Sequence, residues 1–314
     1  TFAKNKKNYL DWGNASNSTK GQGFYDLALE VHPNDSSIVY IGGINIWKST
    51  NAGFDFSLVA HWVGGYNAAY VHADIHDLRY VGNRIYSGHD GGIDYSDDDG
   101  KTWIPLNKGL GITQFYRFTN SRQSPYNIIA GSQDNGTRGF KNNNWRAVAG
   151  GDGMDCAFDP KDENTFYSSV YYGGFVRHRN GEKKEIISPN IVWKNFQTAD
   201  TGAWITPIAV DAQNPNNIYI GYVNLYHSKD YGNTWRKLTN MQYSSGNQYR
   251  NIKVSESNGK YIYASKNTIL YKSKDGGENF EVMLGIPGTG NISDIHIHPT
   301  NPEIIYITRS GYNE

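Results

Sequence analysis

An octapeptide that recurs in step with the chain constrains this sequence more than any other feature. Its pattern is Ser-x-Asp-x-Gly-x-Thr-Trp. Clear copies run Ser96-Asp97-Asp98-Asp99-Gly100-Lys101-Thr102-Trp103 and Ser228-Lys229-Asp230-Tyr231-Gly232-Asn233-Thr234-Trp235. A third is Ser273-Lys274-Asp275-Gly276-Gly277-Glu278-Asn279-Phe280, and a weaker one is Ser49-Thr50-Asn51-Ala52-Gly53-Phe54-Asp55-Phe56. Their first residues lie 47, 132 and 45 apart, and 132 is three times 44. Two worn copies fill the gap, Gly139-Phe140-Lys141-Asn142-Asn143-Asn144-Trp145 and His178-Arg179-Asn180-Gly181-Glu182. A period of roughly 45 residues is the mark of a repeat architecture, in which each unit buries its apolar face against the next.

A second marker keeps the same register. An apolar residue followed by tyrosine occurs at Val39-Tyr40, Ile85-Tyr86, Phe166-Tyr167, Ile218-Tyr219, Ile262-Tyr263 and Ile305-Tyr306. Upstream lie short alternating strands that end in a proline turn, as in Leu27/Leu29/Val31 before His32-Pro33, Ile208/Val210 before Asn214-Pro215, and Ile295/Ile297 before His298-Pro299. Alternation at period two marks half-buried strands, and Pro with Asn, Asp or His fixes the turn between them. Each unit therefore reads strand, proline turn, tyrosine-bearing strand, strand, octapeptide turn, strand. Four antiparallel strands per repeat make the blade of a β-propeller.

The expected fold is all-β: a propeller of about seven four-stranded blades near 24–58, 69–107, 110–148, 152–190, 202–240, 247–284 and 292–314, the last one incomplete. Residues 1–23, with Tyr9-Leu10-Asp11-Trp12, are a candidate closing strand, and the chain is expected to be part of a longer protein. The 24 tyrosines, 8 tryptophans and 35 glycines suit many short strands and tight turns. Thirty Lys and Arg balance thirty Asp and Glu, so no global field steers the chain to nucleic acid or an anionic membrane. No apolar run reaches the ~20 residues of a membrane helix. The single cysteine, Cys156, cannot form an intrachain disulfide and reads as a small core residue. A secreted eukaryotic propeller would carry several cysteines, so a bacterial source is favoured.

The octapeptide resembles the Asp-box, or bacterial neuraminidase repeat, found in sialidases, xyloglucanase-type glycoside hydrolases, sortilin-type receptors and photosystem II assembly factors. Gly88-His89-Asp90-Gly91-Gly92 and Ser132-Gln133-Asp134-Asn135-Gly136-Thr137 look most like the secreted bacterial sortilin/xyloglucanase-like propellers. The resemblance implies a secreted or cell-surface location, and a structural role for Ser96, Asp98, Gly100, Trp103, Ser228, Asp230, Gly232, Trp235, Ser273, Asp275 and Gly277. The run Asp97-Asp98-Asp99-Gly100 could alternatively form a metal loop, since clustered carboxylates suit a hard cation.

Polar groups gather at strand starts and second loops of three consecutive blades. The candidate ligand-binding residues are His72, Asp74, His76, His89, Gln133, Asn135, Asp152, Tyr172 and Trp204. His72, Asp74 and His76 alternate, which would point all three side chains the same way along one strand. Xyloglucanase-like enzymes carry acid and base aspartates in loops of this kind, typically as Asp-x-Gly-Gly; the resemblance puts Asp90 and Asp134 in these roles, although Asp90 is followed at once by Gly91-Gly92 and Asp134 by Asn135-Gly136. A sialidase would need three arginines around its substrate, and only Arg117 and Arg138 offer themselves.

Two function classes follow. The first is a recognition propeller whose exposed Trp and Tyr stack on a glycan or on a protein ligand on one propeller face. The second is a glycoside hydrolase with Asp90 and Asp134 as the acid and base pair. No cofactor is expected. A divalent cation is allowed for: His72, Asp74 and His76 read as a metal site or a ligand cradle, and the cluster they form with Asp90, Asp134 and Asp152 as a cation site or a proton-transfer site. Neither nucleic acid nor membrane insertion is expected.

Overall fold

A computed structural model describes residues 7–11, 20–180, 183–189, 200–240 and 246–311. Trp12 of the N-terminal segment, the Gly181-Glu182 end of the worn octapeptide in the fourth blade and the last three residues of the seventh blade lie outside the described residues. The chain divides into two compact units, Thr1–Ile112 and Thr113–Glu314.

The first unit holds two sheets. Strands β1 (Ala28–Val31), β2 (Val39–Gly42), β3 (Ile46–Ser49) and β4 (Ser57–His61) form an antiparallel meander, and the short β5 (Ala69–Tyr70) adds to β4 in parallel. The next meander is β6 (Ile75–Val81), β7 (Arg84–His89), β8 (Gly92–Ser96) and β9 (Ile104–Pro105). Tyr9 packs its ring on Trp47 and Phe56, each at 5.2 Å, and among the described residues no strand precedes β1.

The second unit repeats the pattern. Its sheets are β10–β13 (Phe115–Asn120, Ile128–Ser132, Gly136–Lys141, Asn144–Ala149) and β14–β17 (Gly153–Asp159, Asp162–Val170, Gly174–Arg179, Lys183–Ile186). Then come β18–β21 (Ile208–Val210, Ile218–Gly221, Leu225–Ser228, Arg236–Lys237) and β22–β25 (Asn251–Val254, Ile262–Lys266, Ile269–Ser273, Glu281–Val282). The two-stranded β26–β27 pair (Asn291–Ile297, Ile305–Ser310) ends the chain. Among the described residues helix is confined to one 3-10 turn at Tyr171–Gly173, and none is long and apolar enough to cross a membrane.

In each unit the first strand of one sheet lies beside the first strand of the next: β1 by β6 in the first unit, then β10, β14, β18, β22 and β26 in turn in the second. Apolar side chains from successive sheets close on one another. Ala28 and Ile46 meet Ile75, Leu78 and Ile85; Tyr167 and Phe175 meet Ile208, Ile218 and Tyr222; Tyr263 and Leu270 meet Ile292 and Ile295. This is sheet-on-sheet burial between consecutive four-stranded meanders, and the fold class is the β-propeller.

The octapeptide turn is built by hydrogen bonds that its sequence dictates. In the second sheet Ser96 Oγ accepts the Gly100 N–H at 2.8 Å, and Asp98 Oδ1 accepts the Thr102 N–H at 2.9 Å. Ser228 and Asp230 repeat this with Gly232 (2.8 Å) and Thr234 (2.8 Å), and Ser273 and Asp275 with Gly277 (2.9 Å) and Asn279 (3.0 Å). The weak copy follows suit, with Asn51 Oδ1 taking the Asp55 N–H at 2.9 Å. An amide oxygen can stand in for the carboxylate because the turn needs only an acceptor.

Two consecutive residues in each copy are left-handed. The fourth is Ala52, Asp99, Tyr231 or Gly276 (φ 57, 61, 61 and 76), and the fifth is always glycine (φ 84 to 89). A Cβ at Gly232 or Gly277 would also come within 2.8 Å of Ile187 or 2.9 Å of Leu238 in the preceding blade, which adds to why the fifth position, unlike the fourth, is glycine in every copy. The worn copy of the third sheet uses a different solution. Asn142 and Asn143 (φ 54 and 61) make a two-residue hairpin loop between the paired Lys141 and Asn144, the geometry that Asn tolerates best.

The metal-loop reading of Asp97-Asp98-Asp99-Gly100 is corrected by the partners these carboxylates take. Asp97 pairs with Arg84 at 2.6 Å, Asp98 holds its own turn, and Asp99 faces Lys48 at 3.6 Å. Three side chains committed to three directions do not converge on one ion. Cys156 is buried, its thiol directed at the Ile129 carbonyl at 3.3 Å. Burial pushes its pKa above the ordinary thiol range.

Candidate ligand-binding site

The second unit carries an aromatic platform. The β15–β16 connection is the 3-10 turn Tyr171–Gly173, in which Tyr172 is left-handed (φ 59). Left-handed backbone at a bulky residue costs about 1–3 kcal/mol and persists only where the surroundings hold it. Here they do. The Gly202 N–H donates to the Tyr172 carbonyl (3.3 Å), and the Tyr172 N–H donates to the Trp204 carbonyl (3.4 Å). From beneath, the fully buried Tyr222 donates its hydroxyl to the Gly173 carbonyl at 2.6 Å. A Cβ at Gly173 would meet the Tyr222 ring at 2.4 Å, so only glycine permits this contact. Thr206, also buried, donates to the Ala203 carbonyl at 2.8 Å and sets the loop that displays Trp204.

On this scaffold Tyr171 stacks on Trp204 (5.5 Å, 10°), and Tyr172 meets Trp204 edge-on (5.4 Å, 79°). Trp204 Nε1 donates to the Tyr116 hydroxyl (3.1 Å), which donates in turn to Gln133 Oε1 (2.5 Å). Trp204 stays 38% exposed and Tyr172 39%, fractions high enough for ligand contact despite the rigid mounting. Next to Gln133 the chain turns sharply through Asp134 (φ 56). The Asp134 N–H donates to Asp152 Oδ1 at 2.7 Å, and Asn135 folds its amide back onto the Gln133 carbonyl at 3.2 Å. Gln133, Asp134, Asn135, Asp152, Tyr172 and Trp204 are thus linked through bonded neighbours.

The first unit carries a cluster of its own. His76 Nε2 lies 2.6 Å from Asp90 Oδ1, and the Tyr25 hydroxyl donates to Asp90 Oδ2 at 3.1 Å. Tyr25 and His76 meet edge-on at 4.9 Å. Asp74 and Asp90 bring carboxylate oxygens within 4.8 Å of each other. Burial and the Asp90 charge raise the Asp74 pKa, against the Gln22 hydrogen bond and His76. Asp26, fully buried just before β1, is pushed up to about 6 by burial and then by Asp74.

Two expectations change. His72, Asp74 and His76 do not alternate on one strand: Asp74 is left-handed (φ 62), β6 begins only at Ile75, and its register slips between Ile75 and Asp77. His72 consequently stacks on His89 (5.8 Å, 10°), while His76 turns to Tyr25 and Asp90. His89 is not presented to a ligand. Its side chain is 1% exposed, Nδ1 accepts the Gly91 N–H at 3.1 Å, and Nε2 faces Asp94 at 3.5 Å. Asp90 belongs to the first unit and Asp134 to the second.

Sequence reasoning missed Tyr116 as the bridge to Gln133, and it missed Gln22, Tyr25 and Asp26. The last three stand at the start of the first innermost strand, the position from which His72, Asp74 and His76 were chosen in the next blade. The same inspection of blade one would have found them.

No protein-family profile matches the chain, and no curated protein matches it. Solved structures similar to it include an ancestral GH74 enzyme, at 16% identity and a TM-score of 0.44, covering 88% of this chain and 42% of that one. YCF48 from Cyanidioschyzon merolae is similar at 13% identity and a TM-score of 0.45, covering 90% of this chain and 92% of that one. YCF48 bound to D1 peptide is similar at 14% identity and a TM-score of 0.40, covering 90% and 89%. The chain thus spans less than half the length of the GH74 enzyme.

Proposed function

We propose that this chain is a recognition propeller of the Asp-box class, within a larger secreted or cell-surface bacterial protein, and that its platform binds glycan. The observation that carries the reading is the Trp204 mounting. One ring face rests on Tyr171, Tyr172 closes one side, and the indole N–H is spent on Tyr116. What remains exposed is flat apolar surface, which suits the C–H face of a pyranose ring, and rigid aromatics lose little entropy on binding. The Gln133 and Asn135 amides and the Asp134 and Asp152 carboxylates nearby supply acceptors and donors for sugar hydroxyls.

A panel of soluble plant, bacterial and animal oligosaccharides, scored by calorimetry and by release of reducing ends, tests this. Saturable binding without hydrolysis supports the recognition reading. Reducing-end release that vanishes in the Asp90→Asn, Asp134→Asn double variant would replace it by the glycoside hydrolase reading. Absence of binding across the panel, with the fold intact, would contradict both.

A further inference from the structure

The first unit holds a set of groups whose chemistry differs from that of the platform. Gln22, Tyr25 and Asp26 sit on one tight turn, closed by Tyr25 and Asp26 N–H groups donating to the Gln22 carbonyl at 2.7 and 3.1 Å. The turn faces the cluster around β6. Its Tyr25 hydroxyl donates to Asp90 Oδ2, and the Gln22 side-chain amide donates to Asp26 Oδ2 at 3.5 Å. Asp26 Oδ1 is fully buried and among the described residues has no hydrogen-bond partner. Of the charged side chains around Asp26, Asp74 acts on it most strongly.

A buried carboxylate oxygen with no donor is costly, and a second carboxylate alongside adds repulsion. A cation held between Asp74 and Asp90 relieves that repulsion. Oxygen ligands sit 2.3–2.6 Å from a Ca²⁺ ion, so two oxygens within about 5 Å of each other can share one. The Asp74 and Asp90 oxygens, within 4.8 Å, meet that limit. The donor set is hard and rich in carboxylate, which selects Ca²⁺ or Mg²⁺ over the softer transition metals. The Tyr25, His76 and Gln22 contacts then orient the carboxylates, as partners of ligating groups do in built metal sites. The Tyr25 phenol 3.1 Å from Asp90 also places a light-absorbing ring at the site.

We infer that Asp74 and Asp90, backed by the buried Asp26, bind a hard divalent cation of the Ca²⁺ type that ties the turn before β1 to the start of the second sheet.

The test uses the 314-residue chain, stripped with chelator and desalted, then titrated with CaCl₂ by calorimetry and with Tb³⁺ by luminescence excited through nearby tyrosine. One saturable Ca²⁺ site that competes with Tb³⁺ is expected. Asp74→Asn and Asp90→Asn should each weaken it at least tenfold, and Asp98→Asn should leave it unchanged. Should either variant unfold, Asp26→Asn, which keeps shape and removes charge, decides the matter: it should weaken Ca²⁺ binding and abolish the Ca²⁺-dependent rise in melting temperature. Wild-type protein that binds neither ion at millimolar concentration overturns the proposal, as does undiminished Ca²⁺ affinity in a folded Asp74→Asn or Asp26→Asn variant.

Discussion

The Tyr40 hydroxyl donates to the carbonyl of Asp99 at 2.9 Å, joining the second strand of the first sheet to the octapeptide turn of the second. Tyr219 does the same to Gly276 at 3.3 Å, one sheet further on, and in both cases the acceptor is the fourth residue of the octapeptide. In the fourth sheet Arg177 takes over, its Nη1 donating to the Tyr231 carbonyl at 2.6 Å beside the buried Tyr167. The two sequence markers keep step because they touch: Tyr40 and Tyr219 reach the left-handed turn of the next blade, where the backbone exposes a carbonyl.

Removing that bond alone should be measurable. Tyr40→Phe and Tyr219→Phe keep the ring packing and lose one buried hydrogen bond, at a cost of about 0.5–1.5 kcal/mol each. Urea denaturation followed by tryptophan fluorescence checks this. Unchanged midpoints in both variants would show that the ring, not the hydroxyl, carries the inter-sheet contact.

Asp230→Ala strips the turn of the acceptor for Thr234, whose N–H and hydroxyl both donate to it at 2.8 and 2.7 Å. A stability loss of about 1–3 kcal/mol is expected, with ligand affinity unchanged. A variant of normal stability but lost affinity would make the octapeptide a binding site and refute its structural role.

Acid should destabilise the second unit through two histidines in corresponding strands. His178 stacks on Phe166 (4.5 Å) with Nε2 2.8 Å from Ser168 Oγ, and His227 stacks on Tyr219 (4.3 Å). Burial lowers both pKa values from 6.5 to about 4. As pH falls, the unfolded chain takes the proton first. Their contribution is therefore complete above pH 6.5 and is lost progressively toward pH 4. Melting temperatures across that window should fall, and His178→Gln, His227→Gln should flatten the profile even if its plateau drops. An equally steep profile in the double variant would assign the acid sensitivity elsewhere.

The fold was legible because its determinants are local and repeated. The Ser–Gly and Asp–Thr bonds lie within eight residues, so the octapeptide reports its own turn, and alternation reports the strands on either side. The binding groups were legible only in part. Trp204 and Tyr172 stand out as aromatics in loops, but Tyr116 joins them across 88 residues, and such spacing leaves no period to detect. The His72–Asp74–His76 run misled for a physical reason. Alternation implies a shared face only on an extended strand, and the left-handed Asp74 breaks the strand at its second member.

The central claim is that the Trp204 platform binds glycan, and affinity in a Trp204→Ala variant tests it most directly. Base- or sugar-sized stacking on one aromatic ring is worth about 1–3 kcal/mol, so calorimetry with the best oligosaccharide should show affinity falling roughly 5- to 150-fold. Tyr116→Phe, which loses the bond that holds the indole N–H, should show a smaller loss. Glycan affinity unchanged in a folded Trp204→Ala protein would contradict the account.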